Sequence, residues 1–465
     1  MNRHFVWRPT ALACLASLAL MNQTAWAADT ISANDLAQLR QQMNDMRQQY
    51  ETRLKAMEER LQAAEQQAAQ ATTTANTAAA AANNATAPEP IATAAASGSN
   101  GFNPAVSVVL SGTYAQLKRD PDNWRITGFA TGDGEIGPGN KGFNLGESEA
   151  TLAANIDPWW YGALTLAFTP ENEAEVEEAF VQTTALGNGL TVKAGRFFSA
   201  MGYQNEQHAH AWDFVDAPLA YQAFLGGQYK QNGVQAKWVL PTEQFIELGG
   251  ELGNGDNFPG TQSGKNGAGA VALFGHLGGD VGDSGSWRAG LSHLWTQASD
   301  RESTTDDGTP YAFTGNSRLW VLDGVWKWAP NGNTKYTNVK LQGEYFYRDE
   351  KGRALTNVGS STEADATYRS AQSGWYLQGV YQFMPAWRVG LRYDRLDTGS
   401  VKFDGSDTSP DYHPNRTSLM LDWSPSEFSR WRLQFTDDRS QQGVRDGQIY
   451  LQYLMSLGSH GAHSY

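Results

Sequence analysis

From Phe102 onward the sequence is cut into short alternating segments by turn residues, and the connections are of two kinds that take turns along the chain. Tight turn signals stand at Asp157-Pro158, Gly187-Asn188-Gly189, Pro241-Thr242-Glu243 and Met384-Pro385-Ala386, with three more at 282–285, 330–336 and 425–430. Between them run eight other connections, several long and polar, the longest covering 199–230. Seven short turns and eight loops delimit sixteen strands. A soluble sandwich has no reason to sort its connections by length. An antiparallel barrel crossing a bilayer does, with short turns at one end and loops at the other.

The strand faces agree with that geometry. In 371–383, Trp375, Leu377, Tyr381 and Phe383 share one face while Gln378 and Gln382 share the other. In 387–397, Trp387, Val389, Leu391 and Tyr393 oppose Arg388, Arg392 and Asp394; in 144–156, Ala150, Leu152 and Ile156 oppose Glu147 and Glu149. One face suits lipid and the other water. Such alternation hides apolar residues from averaged hydropathy, and the mean is −0.51. Trp159, Trp160, Trp328, Trp387, Trp423 and Trp431 sit beside short turns, as an interfacial girdle requires.

The N-terminal hundred residues read differently. Arg3 and Arg8, the apolar run Ala11 to Met21 and Ala25-Trp26-Ala27 have the layout of a secretory signal peptide over 1–27. Residues 28–70 carry Leu36, Leu39, Met43, Met46, Tyr50, Leu54, Met57 and Leu61 at heptad-like spacing, which predicts a short α-helical coiled coil in the periplasm. Residues 71–100, rich in Ala, Thr and Asn, make a linker, and 101–465 the barrel. The expected fold class is thus all-β: a sixteen-stranded antiparallel transmembrane β-barrel preceded by a short coiled coil.

Composition narrows the chemistry. The one cysteine, Cys14, falls within the signal, so export leaves neither a disulfide framework nor a thiol nucleophile. A net charge of −14 disfavours nucleic acid as a partner. No Ser-His-Asp or paired-carboxylate spacing stands out, and no enzymatic activity is expected.

The segments Glu147-Ser-Glu-Ala-Thr-Leu-Ala-Ala-Asn-Ile, Leu164-Thr-Leu-Ala-Phe, Glu177-Glu-Ala-Phe and Val192-Lys-Ala-Gly-Arg-Phe-Phe198 resemble the opening strands of the phosphate-selective (O/P-type) porins. The coiled coil ahead of the barrel resembles that of the dicarboxylate-porin branch. The resemblance implies a homotrimeric sixteen-stranded porin in outer-membrane lipid, and the final aromatic, Tyr465, leads to the expectation of insertion by the barrel assembly machinery. Phosphate selectivity is not carried over, because the barrel is acidic and no dense series of arginines stands out in the sequence.

Loop 199–230 is the expected constriction, with Glu206, His208, His210, Asp213 and Asp216. His208 and His210 with a nearby carboxylate can offer three ligands to Zn²⁺; the same residues can also simply line a polar lumen or sit on an exposed loop. His460 and His463 form a second histidine pair in the tail, readable either as metal ligands or as part of an assembly tail. No cofactor is expected beyond Zn²⁺ as ligand or cargo. Expected lumen-lining charges are Glu147, Glu149, Lys237, Glu247, Glu251, Lys340, Glu344, Arg388, Arg392 and Asp394, with Asp323 and Lys327 beside them. Their mixed signs fit either cross-strand ion pairs or separated acidic and basic strips. The leading expectation is diffusion of small hydrophilic solutes, leaning toward cations or divalent metal. The alternatives are an anchor whose coiled coil reaches peptidoglycan and an energy-coupled metal receptor, although the latter needs a plug domain larger than the segment available.

Overall fold

The computed structural model describes residues 104–132, 136–170, 173–261 and 266–458. The signal peptide, coiled coil and linker, together with His460 and His463, lie outside the described residues.

Sixteen antiparallel strands form one wall: β1 (Ala105–Leu117), β2 (Gly142–Leu145 and Ser148–Asn155), β3 (Trp160–Phe168), β4 (Ala174–Thr183), β5 (Leu190–Phe198), β6 (Lys230–Val239), β7 (Phe245–Gly253), β8 (Ala270–Val281), β9 (Gly285–Thr304), β10 (Pro310–Trp328), β11 (Asn338–Thr356), β12 (Ala364–Met384), β13 (Trp387–Phe403), β14 (Asn415–Ser426), β15 (Ser429–Arg439) and β16 (Asp446–Gly458). Each pairs with its sequence neighbour, and β1 pairs with β16 from Ser107↔Gly458 to Leu117↔Gln448, closing the barrel. Closure gives backbone groups partners within the wall, the condition for a sheet to stand in hydrocarbon. The two parts of β2 both pair with β1 and are separated at Gly146, where a Cβ would lie 2.2 Å from Ser111 Oγ. A two-residue pairing, Ser406–Asp407, only extends the hairpin after β13.

The outer surface bears the apolar face expected from the alternation. Leu252, Leu291, Leu322, Leu377 and Leu391 are each more than half exposed, whereas their inward neighbours Glu251, Ser292, Asp323, Gln378 and Arg392 are buried. A leucine belt of this extent is unfavourable in water and favourable in lipid. Among the described residues no helix is long and apolar enough to cross a membrane.

Strands β9 to β13 run farther on the loop side than the expected 286–297, 317–329, 337–349, 371–383 and 387–397, so the expected loops 298–316 and 350–370 are largely strand and the first part of 398–414 is strand as well. Their tips carry Glu302, Lys351 and Arg353, polar enough to look like loop. What holds them is tertiary: the ladder itself, an inward cluster of Tyr311, Phe313, Ala354 and Tyr368, and a bidentate Arg301–Glu350 pair at 2.8 Å for both bonds.

Candidate functional site

Loop 199–229 folds into the barrel. Its two ends are clamped by Asn205, whose Nδ2 donates to Ser199 O and Tyr229 O at 2.8 Å each while its Oδ1 accepts from Tyr229 N–H at 2.8 Å. The wall then satisfies the loop's backbone donors one at a time. Ala200 N–H donates to Glu251 at 2.9 Å, Gln204 N–H to Glu344 at 3.0 Å and Leu219 N–H to Asp394 at 2.9 Å. A buried amide without a partner costs about 1–3 kcal/mol, so these inward carboxylates fix the path of the loop. Gly202 stands where the loop presses closest: its φ is +76°, and a Cβ there would meet the Glu344 carboxylate at 2.4 Å.

The loop ends in a seven-residue helix, α1 (Leu219–Leu225), all of whose residues are buried. Asp394 accepts the Leu219 N–H, and Gly226 at φ 67° closes the other end in the left-handed conformation. Phe224 stacks on Phe346 at 5.9 Å and meets Phe129 of loop 118–141 edge-on at 5.6 Å; Tyr221 packs against Phe346 at 5.1 Å. Leu219, Leu225, Leu319, Val321 and Leu396 complete an apolar cluster inside the lumen. Each such side chain contributes roughly 1.5–3 kcal/mol by leaving water, so α1 is held to β11, β12 and β13 by a small core of its own.

The remaining loop carries the charges. Asp213 is bound by Lys340, by Arg388 at 3.3 Å and by Gln378 at 3.0 Å. Burial pushes the Asp213 carboxyl up, but Lys340, Arg388 and Arg430 outweigh it and hold it at about 2. Asp216 accepts from Arg392 at 2.8 Å and Gln434 at 2.9 Å and pairs with Arg416 at 2.7 Å; against its burial, the two arginines hold it at about 2 as well. Arg388 also reaches Asp422 at 2.9 Å, Arg430 pairs with the same carboxylate, and Arg432 donates to Trp212 O. Glu206 pairs with Lys237.

Arg388, Arg392, Arg416, Arg430 and Arg432 therefore stand together on three adjacent strands, β13 to β15. This corrects the expectation that no dense series of arginines exists. The sequence spaces them over some forty positions with hairpins between, and only the register brings them side by side. Lys327 and Lys340 are directly paired in register on β10 and β11 and continue the basic surface toward Asp213.

Across the loop, the wall is acidic. His208 Nδ1 lies 3.0 Å from Glu149 Oε2 and 3.0 Å from Glu177 Oε2, and its Nε2 lies 3.1 Å from Glu178 Oε2. His210 Nδ1 lies 2.7 Å from Glu149 Oε1. The two rings stack with centroids 5.6 Å apart. Burial disfavours a charged His208, yet the three carboxylates raise its pKa well above the ordinary histidine value. The expected pair of histidines thus meets Glu149, Glu177 and Glu178, of which sequence analysis had singled out Glu149 alone.

The other expected lumen residues, Glu247 and Asp323 included, also lie on inward-facing strand positions, while Glu147 lies in the break within β2 beside Glu149 and Glu177; Glu247 accepts from His276 at 2.9 Å. Missed in the sequence were Glu177, Glu178, Arg416, Arg430, Arg432 and α1. Alternation within β14 and β15 places the arginines inward and could have found them, whereas Glu177 and Glu178 are consecutive and both face the lumen because of an irregularity in the β3–β4 register that no period shows. Nothing local marks α1, whose seven residues are too few to show a helical period.

No protein-family model matches the chain. In fold it is similar to an OmpT loop L8 deletion mutant, an outer membrane protein of Vibrio cholerae, with a TM-score of 0.51 at 10% identity over 77% of this chain and 100% of that one. It also aligns with the outer membrane channel DcaP of Acinetobacter baumannii, with a TM-score of 0.46 at 11% identity over 77% and 98% of the two chains. In sequence it is 30% identical over 393 residues, 78% of this chain and 80% of the other, to an uncharacterized protein of Aquifex aeolicus (strain VF5). With that identity sustained along most of both chains, this barrel belongs to the same protein family as the Aquifex aeolicus protein.

Proposed function

We propose that the protein is an outer-membrane porin through which small hydrophilic solutes diffuse past a constriction formed by loop 199–229. The observation that carries this reading is the loop itself. It is drawn into a lipid-facing barrel and held against β2, β4 and β6 on one side and β11, β13 and β15 on the other. A barrel serving only as an anchor has no use for an inward loop fastened at so many points.

The constriction has two electrical sides. Lys327, Lys340, Arg388, Arg430 and Arg432 surround Asp213 and Asp422 on one, and Glu147, Glu149, Glu177 and Glu178 surround His208 and His210 on the other. Acidic and basic patches that line one aqueous passage orient solutes that carry both signs of charge. The cation lean expected from composition is thereby narrowed to the β2–β4 side. A homotrimer in the outer membrane is part of the proposal.

Purified protein in planar lipid bilayers tests it. Discrete conductance steps are expected. Reversing the basic side with Lys340→Glu and Arg388→Glu is expected to move the zero-current potential under a KCl gradient toward cation selectivity. Correctly folded protein that gives no conductance would refute the channel.

A further inference from the structure

The cluster between loop and wall has a composition that ion pairing alone does not explain. Glu149, Glu177 and Glu178 bring three carboxylates to one imidazole, and Glu147 stands near enough to group with Glu149 and Glu177. Glu177 is fully buried, and its Oε1 has no hydrogen-bond partner among the described residues; Lys230 Nζ stands 4.0 Å away. Lys230 offsets that oxygen only at the long end of ion-pair distance and without a hydrogen bond, and buried carboxylates held so loosely favour a further cation among them.

We propose that Glu149, His208 and His210 form a binding site for one borderline divalent transition-metal ion, Zn²⁺ foremost, which fastens loop 199–229 to the barrel wall. One ligand atom from each of the three residues already lies within 4.8 Å of the others. Two His and one Glu are a recurrent zinc donor set, with bonds of about 2.0–2.1 Å and a fourth position left open. Tetrahedral bonds of that length set ligand-to-ligand edges of about 3.3 Å. The observed contacts, 3.0 Å from His208 Nδ1 to Glu149 Oε2 and 2.7 Å from His210 Nδ1 to Glu149 Oε1, set one ring nitrogen against each oxygen of the carboxylate, and a small side-chain rotation that offers one of those oxygens to both rings completes the set.

The surroundings fit as well. With Nδ1 facing the ion, His208 presents Nε2–H to Glu178 Oε2 at 3.1 Å, and Glu178 is itself held by the Phe198 N–H at 3.1 Å. This is the carboxylate–histidine–metal relay that fixes the ring and raises its basicity. Glu177, 3.0 Å from the same Nδ1, is placed to fill the open position or to hold a water there. Imidazole and carboxylate donors suit Zn²⁺, Ni²⁺ or Co²⁺ and disfavour Mg²⁺ and Ca²⁺, which take oxygen. The site stands whether or not the barrel conducts.

Isothermal titration of the detergent-solubilised, metal-stripped full chain with ZnCl₂, at pH about 8 where fewer protons compete with the ion for the ligands, tests the proposal. One equivalent per chain is expected, with Co²⁺ giving the visible absorption of a tetrahedral nitrogen and oxygen site. His208→Ala with His210→Ala should abolish both signals. Glu178→Gln should weaken binding by about 10–100-fold, as loss of such a partner does elsewhere. His460→Ala with His463→Ala, and separately His413→Ala, should leave them intact. Should the double-histidine variant fail to fold, Glu149→Gln takes its place. No heat of Zn²⁺ binding by the wild-type protein, or binding that survives removal of His208 and His210, would overturn the proposal.

Discussion

Replacing Asp216 by asparagine separates a fastened loop from one that merely occupies the lumen. The Asp216 carboxylate is nearly buried and is the meeting point of Arg392 at 2.8 Å, Arg416 at 2.7 Å and Gln434 at 2.9 Å. Both arginines remain buried in the variant, with Asp394 left to them at 3.0 and 3.7 Å. Breaking a buried pair by removing one partner costs about 3–5 kcal/mol, and asparagine, which keeps one acceptor oxygen, belongs at the lower end. At about 1.36 kcal/mol per factor of ten, the detached loop becomes two to three orders of magnitude more populated. The expected record in a lipid bilayer is a larger mean conductance with frequent upward excursions, together with a shift toward anions as the basic side opens. Adding Arg416→Gln removes the unpaired charge and should recover part of the effect, which makes the coupling measurable as a double-mutant cycle. Unchanged conductance and open-channel noise in a correctly folded Asp216→Asn barrel would refute the claim that this contact holds the loop.

Two further outcomes follow from the same geometry. Phe224→Ala empties the centre of the cluster between α1 and the wall and should loosen the loop by about 3–5 kcal/mol, read as faster proteolysis of loop 199–229 in intact barrels; equal cleavage rates would count against the packing role. Acid should release the loop late. Asp213 and Asp216 are held at about 2 in the folded protein, below the ordinary value near 3.9, so their contribution is complete above about pH 4 and is lost as pH falls through 2. Conductance measured from pH 6 down to pH 2 should stay level to about pH 4 and then rise; a transition complete by pH 5 would contradict the assignment.

The fold was legible because a barrel in lipid obeys a local rule. Each wall residue faces either hydrocarbon or water, so the alternation of Leu377 with Gln378 or Leu391 with Arg392 can be read without knowing any long-range contact. Loop lengths then gave the strand count. The ends of β9 to β13 escaped that rule because above the membrane both faces tolerate polar residues. There Arg301 and Glu350, 49 positions apart, decide the conformation by meeting.

The site was legible in part. His208 and His210 announced themselves by spacing, and loop 199–230 by its length. By itself the sequence determined a sixteen-stranded barrel, which side chains face inward where the alternation is regular, and which loop is long enough to enter the lumen. Tertiary structure alone decided that five arginines of β13 to β15 would stand together, that Asp213 and Asp216 would lie against them, and that Glu177 and Glu178 would join Glu149 around two histidines. The physical reason is that facing is a property of one strand, fixed by its period of two. Neighbourhood inside a barrel depends on register and on where a loop comes to rest, and both are settled by contacts between residues far apart in the chain.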